Sequence, residues 1–523
     1  MQISPPARSL FVFNGKMAVR VWNSVQHSSN VLLRGSLWIW VAFCSALSLM
    51  ALHTEAVQGD AWWDFAIGRW ELAHHSLAMI NLWGSHGIGQ RWVNPEWAWS
   101  LLLAFAAHGG QAAWFGILVI GVVGYCAGLA ALMESWQVHP SLRVILLMSS
   151  LLMAQGAWVW TPIVWAIPCA VWGLWLITRL RQVRTPSLAW RLALGGVGLG
   201  VAWAAGHPSW ILLVVWGVIE GLLLPSWRHQ LLWGLGLLVM LGLIAVSQPW
   251  GASYLVQPLL GLRDPWVAMV SPEWTSPIRH HLALSLIFVV YGITGAWALA
   301  SEWTHTGWSR DGIRRGIYWL GFGLAGMYAV RFLPYLPLGC IAAWSTWTPS
   351  RSLAWLPPKF SAAVTAIGAG GLLIGLISVW PKGPIIRHVS AQDPVGITRV
   401  LADHGYGQGT PVFNSLALGG YLEFVGLRPW IDGREDFWVT QGHTLAAYAR
   451  AASGQTPRVR LVENTGLHLA IVTRTGKWAW SLESARWTPV WHTPQTVLLV
   501  APGTAWPRSG ASTVRGTPKI WRI

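Results

Sequence analysis

The chain has 523 residues, of which 54% are hydrophobic and only 10% are charged. Soluble globular proteins carry about 25% charged residues, and a single soluble core stops growing at roughly 250–300 residues, so one soluble domain is excluded. The apolar excess also excludes a disordered chain. The 42 tryptophans favour membrane–water interfaces, where the ring is buried and the N–H stays hydrated. The composition indicates a polytopic membrane protein.

The net charge of +16 indicates contact with anionic lipid rather than with nucleic acid. Basic residues beside membrane spans set the topology, and the chain has no basic–aromatic motif typical of a nucleic-acid reader. The four cysteines have no CxxC spacing, so they predict neither a disulfide framework nor a metal site. They are Cys44, Cys126, Cys169 and Cys340.

Long apolar runs predict ten to twelve membrane-spanning α-helices within 36–384, preceded by a cytoplasmic segment, 1–35. The positive-inside rule places the basic clusters from Arg179 onward in the cytoplasm. The segments 53–94 and 248–282 are then outer loops. The runs cover 36–52, 95–107, 111–133, 142–157, 160–178, 189–205, 208–224, 230–247, 283–301, 316–347 and 361–380, and 316–347 is expected to break near Arg331–Pro334.

Residues 385–523 differ in composition, with short strand-like runs separated by turn residues, and predict a small extracytoplasmic α/β domain. The expected helices are Gln392–His404 and Ser415–Phe424, with Ser415 as N-cap. The expected strands are Pro411–Phe413, Trp430–Ile431, Leu469–Val472 and a hairpin over 487–501 around Pro494.

Acidic residues are rare before the C-terminal domain, and five of the eleven in 1–384 lie between 53 and 96. A carboxylate at membrane depth is costly, which makes this cluster a candidate functional site. Asp60 opens a predicted interfacial helix and Asp64 follows at i+4, so both can face one site. Two such carboxylates suit a divalent metal ion or general-base chemistry. The alternative is that Asp60 only caps the helix.

Four further outer-side residues are candidates for substrate binding, each with a structural alternative. Glu96 stands at the start of a span, where it can simply complement the helix dipole. His207 lies in a loop between spans, where histidine is more often structural. Glu273 lies in an outer loop longer than a connection needs. Arg331 interrupts an apolar run and either pairs with an anion or extends to the interface.

These elements in this order resemble the bacterial membrane proteins related to the GT-C glycosyltransferases, a group that includes protein mannosyltransferases and aminoarabinose transferases. The resemblance covers nearly the whole chain. The matching segments are Asp60–Asp64, Asn94–Trp97, His207–Ser209, Pro272–Trp274, Arg331–Pro334, Gly419–Leu422 and Ile431–Asp436.

The resemblance implies an inverting glycosyltransferase in the bacterial cytoplasmic (inner) membrane, using a polyprenyl-phosphate sugar and an unidentified glycan, lipid or protein acceptor at the outer face. The leading hypothesis makes Asp60 the general base and has Arg331, with or without His207, hold the leaving phosphate. Asp64 and Glu273 would orient Arg331 or the acceptor. No cofactor is required by this chemistry, and a divalent metal ion at Asp60 and Asp64 is the alternative.

The rival hypothesis is a non-catalytic membrane scaffold or transporter whose outer domain binds a partner. In that domain, Gly420, Tyr421, Asp432, Arg434 and Asp436 form a motif that we interpret as structural or partner-binding. Asp in a glycine-containing turn favours local backbone hydrogen bonds, and arginine pairs with a neighbouring carboxylate.

Overall fold

The fold is known from a computed structural model of the chain. The structure describes residues 59–154, 157–158, 160–259, 264–279, 282–307, 309–345, 394–441 and 443–507.

Between residues 59 and 345 the described chain is almost entirely helical. Its α-helices are Gly59–His74, Trp97–His108, Gly110–Ser135, Pro140–Ala154, Ile163–Gln182, Pro186–Gly206, Ile211–Leu222, Trp227–Ser247, Val267–Val270, Leu282–Thr306, Arg310–Tyr328 and Leu336–Trp344. Short 3-10 turns lie at Pro208–Trp210, Gly251–Val256, Pro272–Trp274, Pro277–Arg279 and Val330–Tyr335.

Five described helices are long and apolar enough to cross a membrane, and four more apolar helices are shorter. The five segments are Ala113–Ser135, Ile163–Gln182, Pro186–Gly206, Trp227–Ser247 and Ser285–Thr304. The chain is therefore a polytopic helical membrane protein. The predicted spans 36–52 and 361–380 lie outside the described residues, as does the segment 1–35, so the count of ten to twelve stays a prediction.

The expected break near Arg331–Pro334 is confirmed. A helix ends at Tyr328, a 3-10 turn covers Val330–Tyr335, and a new helix begins at Leu336. Proline lacks the N–H that a continuing helix needs, which explains why the chain changes its winding here. The first of the two helices begins at Arg310, six residues earlier than expected.

The C-terminal domain contains a five-stranded mixed sheet in the order β2-β1-β3-β5-β4. Its strands are β1 Pro411–Asn414, β2 Arg428–Pro429, β3 Leu469–Thr473, β4 Thr488–His492 and β5 Thr496–Val500. β1 pairs in parallel with β2 and β3, whereas β5 pairs antiparallel with β3 and β4. The hairpin and the small α/β domain are confirmed. The helices are Ile397–Asp403, Gly419–Phe424, Glu435–Thr440, Thr444–Ser453, Arg458–Asn464 and Lys477–Ser484.

Two sequence expectations for this domain are wrong in detail. The strand predicted at Trp430–Ile431 lies at Arg428–Pro429, although the Trp430 N–H still donates to Val412 O of β1 at 2.9 Å. Ser415 makes no side-chain cap. Its hydroxyl instead accepts from the Thr473 N–H at 3.3 Å, because β3 runs beside it.

The C-terminal domain packs directly on the helix Gly59–His74, hereafter the outer-loop helix. A Cβ atom at Gly420 would overlap Gly59 O, so only glycine allows this approach of the two backbones. The Trp62 ring packs edge-on against Tyr421, with centroids 5.5 Å apart, and lies 4.6 Å from Phe424. The outer-loop helix and the C-terminal domain therefore share one core.

Candidate functional site

Asp60 lies in the first turn of the outer-loop helix and is exposed to solvent. Its Oδ1 accepts a long hydrogen bond from Trp63 Nε1 at 3.4 Å. Burial of the carboxyl among protein atoms, together with the negative charge of Glu273, raises the pKa of Asp60 to about 7. Asp60 is thus accessible to solvent and at the same time closely surrounded by protein atoms. With this pKa it is suited to accept a proton near neutral pH.

Asp64 is one helical turn further on but lies in a different environment. Its side chain is fully buried, and Oδ1 accepts from the Ser100 hydroxyl at 2.6 Å. Burial and the neighbouring Asp60 raise the pKa of Asp64 well above its usual value, against the effect of the Ser100 bond. Among the described residues its Oδ2 has no hydrogen-bond partner. Asp64 is thus buried, whereas Asp60, one turn earlier in the same helix, is exposed to solvent.

Glu96 and His207 are brought together at the ends of two helices. Glu96 precedes the helix Trp97–His108 without capping it through its side chain. The Nδ1 atom of His207 accepts from the Ser209 N–H at 3.0 Å, which leaves Nε2 facing Glu96 Oε1 at 3.8 Å. Burial and, as the smaller cause, the positive charge of Arg331 hold the pKa of His207 well below its usual value, so the ring is neutral. Burial, together with the negative charge of Asp64, raises the pKa of Glu96 well above its usual value.

Arg331 provides the positive charge in this part of the molecule. Its guanidinium lies 3.5 Å from Glu273 Oε1, and its Cζ is 4.2 Å from the centre of the Trp274 ring. The side chain of Arg331 keeps 22% of its surface exposed and that of Glu273 keeps 49%. The arginine is therefore held in position yet accessible to an anion, the first of the two alternatives considered from the sequence.

Two acids of the C-terminal domain complete the site, and sequence analysis missed one of them, Glu435. Both stand at the start of the helix Glu435–Thr440. Glu435 Oε2 accepts from Trp274 Nε1 at 3.0 Å. Burial, with the charge of Glu273, raises the pKa of Glu435 to about 8. The available signal was its place within the Ile431–Asp436 motif, next to an acid already singled out.

Asp436 belongs to the motif that we interpret as structural or partner-binding, and this interpretation stays a prediction. Oδ2 accepts from Trp92 Nε1 and from Gln257 Nε2, both at 3.2 Å. Burial raises the pKa of Asp436 to about 6, and its charge in turn raises the pKa of Asp64. Asp436 therefore connects Trp92 of the first predicted outer loop and Gln257 of the second, and its charge acts on Asp64.

Asp432 and Arg434 form a fully buried ion pair instead. Arg434 Nε and Nη2 donate to the two Asp432 oxygens at 2.9 and 2.5 Å, and Nη2 also donates to Glu423 Oε1 at 2.7 Å. Arg434 Nη1 donates to Asn81 Oδ1 at 3.1 Å. The Asn81 contact fixes the first outer loop to the C-terminal domain. Although burial acts against it, Arg434 holds the pKa of Asp432 below its usual value.

Electrostatic interactions thus link every predicted catalytic and substrate-binding residue in one cluster. Asp60, Glu273 and Arg331 are at the surface of this cluster, whereas Asp64, Glu96 and His207 are beneath it. Within the described parts of the chain, no three acidic, histidine or cysteine side chains come together to hold a metal ion. The metal ion considered for Asp60 and Asp64 therefore stays a prediction.

Among solved structures, the chain is similar to ArnT from Cupriavidus metallidurans in the apo state, with 16% identity and a TM-score of 0.47 over 91% of this chain and 98% of that chain. The same enzyme bound to undecaprenyl phosphate has 15% identity and a TM-score of 0.44, over 90% of this chain and 98% of that chain. The Archaeoglobus fulgidus oligosaccharyltransferase in complex with Zn and sulfate has 11% identity and a TM-score of 0.45, over 83% of this chain and 67% of that chain. These neighbours are GT-C glycosyltransferases.

The neighbours are thus of the group that the motifs of this chain resemble. No family model matches the chain. No curated protein matches it either. Identities of 11–16% and TM-scores below 0.5 assign no roles to the residues of this chain.

Proposed function

We propose that this chain is an inverting glycosyltransferase that moves a sugar from a polyprenyl-phosphate donor to an acceptor hydroxyl at the outer face of the bacterial inner membrane. The observation that carries the proposal is that Asp60 and Arg331 lie close enough to interact electrostatically and that both are at least partly exposed to solvent. Asp60 has a pKa of about 7, and Arg331 offers a guanidinium that acts on the pKa of Asp60. A base and an anion-binding group are the two components that such a displacement requires.

In the proposed step the acceptor oxygen attacks the anomeric carbon of the donor, and Asp60 takes the hydroxyl proton. The bond between the anomeric carbon and the phosphate oxygen breaks, and its electron pair leaves with the polyprenyl phosphate. A single displacement of this kind inverts the anomeric configuration. A positioned general base contributes about 10²–10⁴ in rate.

Arg331 would bind the leaving phosphate. A guanidinium donates to phosphate bidentately and keeps its charge at any working pH. Its present partner, Glu273, is half exposed, so a phosphate dianion can compete for the same N–H groups. The break in the helix at Val330–Tyr335 places this arginine at the end of an apolar segment, where a lipid-anchored phosphate can reach it from the bilayer.

The neutral His207 would donate a hydrogen bond to the donor without adding charge beside the phosphate, and Glu96 would belong to the same substrate-binding region. Asp64 would support Asp60 from beneath through the shared helix. Because the Asp64 carboxyl is fully buried, it is not in a position to reach the acceptor.

The experiment that tests this function measures binding and transfer separately. Purified wild-type protein and an Arg331→Lys variant are incubated with polyprenyl phosphate in detergent. Lysine keeps the charge but loses the planar bidentate geometry, so we expect about tenfold weaker binding of the lipid phosphate. Equal binding by both proteins, together with no sugar transfer from any polyprenyl-phosphate donor, would favour the scaffold instead.

A further inference from the structure

The proposed phosphate-binding arginine is held by a chain of contacts that ends in the C-terminal domain. The Arg331 guanidinium stacks on the Trp274 ring at 4.2 Å. The indole N–H of Trp274 donates to Glu435 Oε2 at 3.0 Å. Trp274 therefore contacts both the arginine of the membrane part and the acid of the soluble part.

The backbone around Trp274 is fixed to the arginine segment. The Val330 N–H donates to Thr275 O at 3.1 Å, and the Ser276 hydroxyl donates to Met327 O at 2.7 Å. With the backbone held in this way, the remaining freedom of Trp274 is the rotation of its ring. The hydrogen bond to Glu435 removes that rotation, and the stacked face then sets the plane of the guanidinium.

We propose that Glu435 is a positioning residue for Arg331, acting through Trp274, so that the C-terminal domain is a working part of the phosphate subsite rather than an appended module. This inference rests on the proposed function. Glu435 need not touch the substrate. The Glu435 carboxyl group orients the indole ring of Trp274. The ring in turn orients the two guanidinium N–H donors of Arg331 that would bind the phosphate.

The same loop provides a matched control. Trp266 also lies in the outer loop and also contacts the C-terminal domain, through Arg450, whose Cζ lies 5.3 Å from the ring centre. Trp266→Phe should therefore weaken the docking of the loop in a similar way to Trp274→Phe without touching Arg331. A loss of phosphate binding seen in Trp274→Phe but not in Trp266→Phe would then result from the contact between Trp274 and Arg331.

The experiment compares binding of farnesyl phosphate and of uncharged farnesol to the full chain in detergent. We expect Trp274→Phe and Glu435→Ala to weaken farnesyl phosphate binding about five- to tenfold, the range of one ordinary hydrogen bond, and to leave farnesol binding unchanged. Glu435→Gln keeps an acceptor oxygen for the indole N–H and should restore binding to within about threefold. Trp266→Phe should bind both ligands as the wild type does.

Wild-type phosphate binding in Trp274→Phe and Glu435→Ala, with a loss in Arg331→Lys, would overturn the positioning role and leave the proposed function standing. Parallel losses for both ligands, with a lower melting temperature, would also overturn it, since they would show a structural contact only. If the wild type does not prefer farnesyl phosphate to farnesol, the proposed function fails, and this inference fails with it.

Discussion

Gly433 of the C-terminal domain lies directly against Asp60 of the outer-loop helix, so that a Cβ atom at Gly433 would overlap Asp60 Oδ1. Gly433 stands between Asp432 and Arg434, the buried ion pair, which makes the turn rigid. The C-terminal domain therefore contacts the Asp60 side chain directly, and the position of the proposed base depends on a residue more than 370 positions away in sequence.

Gly433→Ala should disable the proposed base without unfolding the protein. The new methyl group meets the end of a short side chain, so the Asp60 carboxylate moves while the backbone stays in place. A displacement of about 1 Å at a catalytic group can cost about 10²-fold, and we expect sugar transfer to fall by about 10- to 100-fold. Gly407→Ala, where a Cβ meets open space, is the control and should leave transfer unchanged. Equal rates in the two variants would contradict the contact.

The rate of transfer should rise with pH through an apparent pKa near 7. The deprotonated Asp60 is the active form, and burial with the charge of Glu273 raises its pKa from the usual 3.8 to about 7, while Arg331 acts to lower it. Glu273→Gln removes the repulsion, so the midpoint of the profile should move to lower pH. A midpoint that stays in place or moves upward in this variant would show that another group of the cluster controls the profile.

Arg434→Ala should strongly destabilise the protein. The substitution leaves Asp432 buried without its cation and removes the bond to Asn81. Removing one partner of a buried ion pair costs about 3–5 kcal/mol, which would appear as a large fall in melting temperature in detergent. Arg428→Ala, an exposed arginine at β2, should change stability by no more than about 0.5 kcal/mol. A variant at Arg434 as stable as this control would refute the structural role.

The sequence was sufficient for features that depend on local patterns. The break at Pro334 and the β4–β5 hairpin follow from proline and turn residues near in sequence. The meeting of Glu435 with Trp274 could not be predicted in this way, because it joins segments 161 residues apart through the fold. The displaced strand at Arg428–Pro429 has a similar origin, since its register is set by pairing with Pro411 and Val412.

The C-terminal domain should be labelled from outside the cell. Trp480 is 72% exposed in that domain, so Trp480→Cys should react with a membrane-impermeant maleimide in intact spheroplasts. Arg228→Cys, in the first turn of the helix that begins at Trp227, should react only after the membrane is opened, because the positive-inside rule places that end in the cytoplasm. The reverse pattern would invert the proposed topology and remove the outer-face reaction.

The most direct test of the account is sugar transfer by Asp60→Asn, measured with any polyprenyl-phosphate sugar that the wild type accepts. Asparagine keeps the size of the side chain, caps a helix about as well, and retains an oxygen for Trp63, but it cannot take a proton. We expect normal folding and lipid-phosphate binding, with transfer reduced at least ~10²-fold, and a smaller loss in Asp64→Asn. Transfer at the wild-type rate by Asp60→Asn would contradict the mechanism.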